Sequence, residues 1–165
     1  MVVETVKPGD GPRHMEFSPD GKFLYLINEL GATINTYAYE KGKLTFINSV
    51  DMSPPGFTGK NGAADIHLSP DGRYLYATNR GTAHELLLYN VDQTTGKLTY
   101  ANRYPTAEEP RNFVIEPGGR FLIVAAQKGN VVQVYKIEKA TGVLSPLNTR
   151  IEVTSPAVLK LVPAE

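Results

Sequence analysis

The sequence predicts an all-β protein built as a β-propeller, with about three complete four-stranded blades and single strands of the flanking blades. Three observations carry that prediction: a motif that returns three times, four short β-type runs inside each return, and no run with helical periodicity. The motif reads Gly11-Pro12-Arg13-His14-Met15-Glu16-Phe17-Ser18-Pro19-Asp20-Gly21 in the first unit and Ala64-Asp65-Ile66-His67-Leu68-Ser69-Pro70-Asp71-Gly72 in the second. In the third it reads Pro110-Arg111-Asn112-Phe113-Val114-Ile115-Glu116-Pro117-Gly118-Gly119. The turn prolines stand 51 and 47 residues apart, and a second marker, Gly42-Lys43-Leu44, Gly96-Lys97-Leu98 and Gly142-Val143-Leu144, recurs in step with them.

Each unit resolves into four strands in order. The Ser-Pro-Asp-Gly stretch presets a tight turn, because proline fixes φ and Asp-Gly accepts a left-handed conformation. It closes the hairpin between the first and second strands. The second strand, Phe23-Leu24-Tyr25-Leu26-Ile27 in the first unit, is apolar on both faces, as a sheet sandwiched between neighbours requires. The third ends in Tyr37-Ala38-Tyr39, Leu88-Tyr89-Asn90-Val91 or Val134-Tyr135-Lys136-Ile137, and the glycine turn leads into the fourth. A β-sandwich could hold as many strands, but nothing in it demands the same turn at the same place in every unit. The prediction is one domain over residues 1–165, with blades at 11–50, 62–105 and 108–150 and flanking strands at 2–7 and 155–162.

Composition bounds the function. Seventeen basic residues balance seventeen acidic ones, so no global field favours nucleic acid or an anionic membrane. Cysteine is absent, which removes disulfides, thiolate catalysis and cysteine-ligated metals. No apolar run reaches the ~20 residues of a membrane helix, and the first residues lack a signal-peptide core. The expected setting is cytoplasmic, with no membrane or nucleic-acid partner and no cofactor.

The strings Gly-Pro-Arg-His, Ala-Asp-Ile-His, Asn-Arg-Gly and Pro-Arg-Asn-Phe, in this order around the turn motifs, resemble the lactonase family of propellers over nearly the whole chain. That resemblance implies seven blades and a reaction that hydrolyses, opens or forms a lactone, with a phosphorylated sugar lactone as the leading substrate. Seven blades at this period need roughly twice this length. The expectation is therefore a carboxy-terminal half that covers its open blade faces by self-association or with another half-propeller.

Because the first and second strands form one antiparallel hairpin, residues that open the first and follow the second converge on one rim. His14, Asp65 and Asn112 precede their turn prolines by five residues and are followed by apolar Met15, Ile66 and Phe113, which turns the polar set toward the central channel. Glu29, Arg80 and Gln127 follow the second strands, His67 lies two residues after Asp65, and Arg13 and Arg111 stand at strand entrances. Lactone hydrolysis needs a base for water and cations for an oxyanion and a phosphate. His14 is the candidate base, with Glu29 orienting it or acting in its place. Arg80 and Arg111 hold the anion, with Arg13, His67 and Gln127 as further contacts.

Each assignment has a plainer counterpart. His14 and His67 could bond neighbouring blade backbones, Glu29 and Arg80 could be an inter-blade ion pair, and Asp65 reads as structural, capping the turn or orienting His67. His84 reads as a solvated loop residue. The long stretch from Asp51 to Ala63 opens on the same rim, where Lys60 could touch an anionic substrate or the loop could be merely disordered. The close histidine spacings of metal sites are missing, so no metal is expected. Carboxymuconate-type lactone chemistry and a non-catalytic binding propeller are the competing functions.

Overall fold

The computed structural model describes residues 4–162. They form twelve strands in three antiparallel sheets, each made of four consecutive strands. The first blade contains β1 (Pro12–Phe17), β2 (Phe23–Asn28), β3 (Thr33–Glu40) and β4 (Lys43–Asp51). The second contains β5 (Ala63–Leu68), β6 (Tyr74–Asn79), β7 (Glu85–Val91) and β8 (Leu98–Pro105). The third contains β9 (Pro110–Ile115), β10 (Phe121–Ala126), β11 (Val131–Ile137) and β12 (Leu144–Glu152). The inner strands β1 and β9 each adjoin β5, so the three sheets stack around a common side.

The repeated turn chemistry explains the repeated register. In the first blade the Ser18 hydroxyl donates to Asp20 and accepts from the Phe23 amide at 2.9 Å. Ser69, Asp71 and Tyr74 repeat this arrangement in the second. In the third, Glu116 replaces the serine and takes the amides of Gly118 and Arg120 at 2.7 and 2.6 Å, so one longer side chain does the work of two.

Two apolar layers join the blades. Tyr25, Ile27 and Ile34 of the first pack against Ile66, Leu75, Leu87 and Tyr89 of the second. Tyr76, Leu86 and Leu88 on the second blade's other face pack against Phe113, Leu122, Val124 and Tyr135 of the third. The same polar latch accompanies each layer: Tyr25 Oη donates to the Gly96 carbonyl at 3.0 Å and Tyr76 Oη to the Gly142 carbonyl at 2.8 Å. Pro19 sits against Gly72, and Pro70 against Gly119.

The flanking segments differ from expectation. Residues 4–7 and 155–162 carry no strand, and residues 2 and 3 lie outside the described part. A strand needs a ladder neighbour, and the first and last sheets offer these segments none. The C-terminal segment is nevertheless placed beside β9, where the Leu159 amide donates to Asn112 Oδ1 at 2.7 Å. The stretch between β4 and β5 is pinned rather than loose. Ser53 and Asn79 both donate to Asn61, while the Lys60 amide donates to the Thr82 hydroxyl and the Thr82 amide donates to the Lys60 carbonyl.

Candidate active site

The rim follows from the hairpin geometry. The residue after each second strand, Glu29, Arg80 and Gln127, donates its amide to a carbonyl just before the inner strand, at Gly11, Gly62 and Glu109 respectively. These three amides, at 2.7, 3.0 and 2.8 Å, place equivalent side chains at the same end of every blade.

Asp65 is the hub of the site. Its carboxylate is 2% exposed and meets side chains from all three inner strands. Oδ1 lies 2.7 Å from His14 Nδ1 and accepts the Ile66 amide. Oδ2 accepts from Asn112 Nδ2 and, at 3.0 Å, from the Phe113 amide, with His67 Nε2 at 3.4 Å. Burial pushes this carboxyl up, but the hydrogen bonds from His67 and His14 and from the Phe113 amide outweigh it and hold it at about 2. A carboxylate facing Nδ1 puts the His14 proton there and leaves Nε2 with the lone pair.

A second group, built on arginine, adjoins His14. Arg13 Nη1 is 3.3 and 3.2 Å from the two ring nitrogens of His14, an equidistance that lays the guanidinium over the ring face rather than on either lone pair. The same guanidinium donates to the Ala64 carbonyl and pairs with Glu29 Oε2 at 3.4 Å. Arg80 takes the other oxygen of Glu29 and donates Nε to the Gly62 carbonyl at 3.0 Å. Burial lowers Arg13 below its usual range, and the nearby positive charges of Arg80 and Arg111 lower it further. The three arginines therefore form one cluster, in which Glu29 is the counter-ion shared by Arg13 and Arg80. Arg111 has no ion pair among the described residues.

His14 faces Asp65 rather than Glu29, while Glu29 binds Arg13 and Arg80, the inter-blade ion pair given above as its plainer reading. Other expectations change. His84 is half-buried, its Nδ1 accepting the Glu109 amide at 3.2 Å, and so ties the second blade to the third instead of facing solvent. Lys60 is exposed and joined to the rim through its backbone. Neither its side chain nor that of Gln127 reaches the cluster by a hydrogen bond or ion pair among the described residues. Glu16 was missing from the expected set, yet it lies 3.6 Å from His67 Nδ1. Strand alternation could have found it, since Glu16 follows His14 by two residues just as His67 follows Asp65.

Fold and site together define a partial propeller with a charged, histidine-bearing mouth. The chain belongs to the lactonase family, whose model, "Lactonase, 7-bladed beta-propeller", matches residues 2–161. It is 40% identical over 145 residues to the 6-phosphogluconolactonase of Serratia proteamaculans, covering 87% of this chain and 44% of that protein. It is 37% identical over 161 residues to the 6-phosphogluconolactonase of Formosa agariphila, covering 94% and 44%. Among solved structures, the periplasmic gluconolactonase of Pseudomonas aeruginosa superposes with a TM-score of 0.91 at 40% identity, over 95% of this chain and 44% of that one. A candidate 6-phosphogluconolactonase of Bacteroides fragilis superposes at 0.92 with 44% identity, over 97% and 44%. The chain thus spans less than half the length of the relatives it matches.

Proposed function

We propose that this chain carries the catalytic cluster of a sugar lactonase acting on 6-phosphogluconolactone. The observation that carries the reading is the connected group Asp65, His14, Arg13, Glu29 and Arg80 at the rim of a lactonase-family propeller. His14 Nε2 takes a proton from water as the water oxygen attacks the lactone carbonyl carbon. The carbonyl oxygen becomes an oxyanion beside the arginine cluster, where Arg80 is held in place by Glu29 and Gly62. Collapse breaks the bond from the carbonyl carbon to the ring oxygen, which receives the proton back from His14 and leaves as the sugar hydroxyl. Arg111, without an ion pair among the described residues, is the guanidinium available to the phosphate.

Hydrolysis of freshly generated lactone, with the spontaneous rate subtracted, tests this reading. His14→Ala is expected to lower kcat/KM about 100-fold or more. Equal rates in both proteins would remove His14 as the base, and no rate above background in either would overturn the lactonase reading. A binding module without turnover is the second reading, supported by the limited span of the chain relative to its relatives. It predicts that 6-phosphogluconate binds while the lactone is not turned over. The open outer faces support a further part of the proposal, that other blades of this type cover them, either from a second copy or from a partner half-propeller.

A further inference from the structure

Glu16 and His67 stand one alternation further along β1 and β5 than His14 and Asp65, on the same side of each strand. The hydrolytic steps above use neither. His67 is held between two carboxylates, with Nδ1 3.6 Å from Glu16 Oε2 and Nε2 3.4 Å from Asp65 Oδ2. Its ring also meets Phe113 edge-on, with centroids 4.9 Å apart. Two ring nitrogens that both face carboxylates are satisfied together only by the doubly protonated imidazolium. Burial works against that charge, but the hydrogen bonds and charges of Asp65 and Glu16 overcome it and raise His67 to about 9. Asp65 therefore divides one negative charge between two histidines, one on each oxygen.

We propose that His67 is a positioning residue: the counter-cation that, anchored by Glu16, fixes the Asp65 carboxylate against His14 Nδ1 and so holds the His14 ring in one tautomer and one orientation. A cation on the second oxygen keeps that carboxylate ionised and aimed, with its first oxygen left to receive the Nδ1 proton. With Glu16 anchoring its far side, His67 cannot turn away from Asp65 without losing a partner. The effect on rate rests on the reading of His14 as base, while the coupling of the two histidines does not.

The charged groups around the pair are few. His14 faces Arg13 on its own strand and Asp65 on β5, with Glu29, Arg80 and Arg111 beyond Arg13. His67 faces Glu16 on β1 and Asp65 on its own strand, and β9 presents it with uncharged Phe113. All except the substituted group are retained in the variants below.

The chain has three histidines, so their ring signals can be assigned and followed separately in 15N-histidine NMR. In its neutral form the His14 ring is expected to show the Nδ1-protonated tautomer, and His67→Gln is expected to move its ring-nitrogen signals toward a mixture of the two tautomers. Glu16→Gln, at a half-exposed position, is expected to lower the midpoint of His67 itself. His14 ring signals unchanged in folded His67→Gln overturn the proposal. If that variant does not fold, an unmoved His67 midpoint in Glu16→Gln overturns it instead. Lactone hydrolysis then separates the two readings. A fall in kcat with KM little changed in His67→Gln supports both, while changed His14 signals with an unchanged kcat keep the coupling and remove His14 as the base.

Discussion

At the residue scale, function and stability meet in one ion pair. His67 is raised to about 9, so its contribution to stability is complete below the unfolded histidine value near ~6.5 and is lost as pH rises through about 9. Asp65 is depressed to about 2, so its contribution is present above ~3.9 and is lost as pH falls through about 2. The two shifts share the contact between Asp65 and His67, which counts once. Because a third of the His67 side chain is exposed, solvent screening reduces its worth to about 1–2 kcal/mol. Urea midpoints are expected to be level between about pH 4 and 6.5 and to decline toward pH 10, with His67→Gln flattening that decline. An equally steep decline in the variant would place the alkaline sensitivity elsewhere. The sequence showed Asp65 beside His67 but not that the same carboxylate also faces His14. His14, Arg13, Glu29 and Arg80 were legible because the repeat put them at one rim, whereas Asp65 as hub depended on which side chain of the next blade lay within reach.

At the scale of elements, the strands and turns were the most legible part. Proline, Asp-Gly and alternating apolar residues act within a few neighbours and so appear in local sequence. The contacts of the stretch between β4 and β5 were not legible, because its partners lie on the connection after β6. Gly81 makes that contact possible. It has φ +69, and a Cβ there would lie 2.1 Å from the Lys60 carbonyl oxygen, a backbone atom with no room to yield. Gly81→Ala is expected to cost more than about 2 kcal/mol, combining left-handed strain with the steric conflict. Thermal or denaturant unfolding measures it, and a cost under half of that would show that the loop can shift away at little expense.

At the scale of the whole molecule, the middle blade is covered on both faces while its neighbours each have an open one. Met15 and Phe17 on β1 are 60% and 46% exposed, whereas their counterparts on β5, Ile66 and Leu68, are 1% and 8% exposed. Identical motif positions thus differ only in whether a neighbouring sheet is present. Association through these faces is expected to appear in light scattering as a mass above that of one chain, and a monodisperse monomer would exclude it. The turn glycines record the same inequality. Gly96 and Gly142 lie under the rings of Phe23 and Tyr74, and Gly72 and Gly119 lie against prolines, while a Cβ added at Gly21 or Gly42 would meet nothing within 4 Å. A change written into the same letter of the repeat therefore has a different consequence in each copy. The tolerance of a position is inherited from the sheet beside it and cannot be read from the motif to which it belongs.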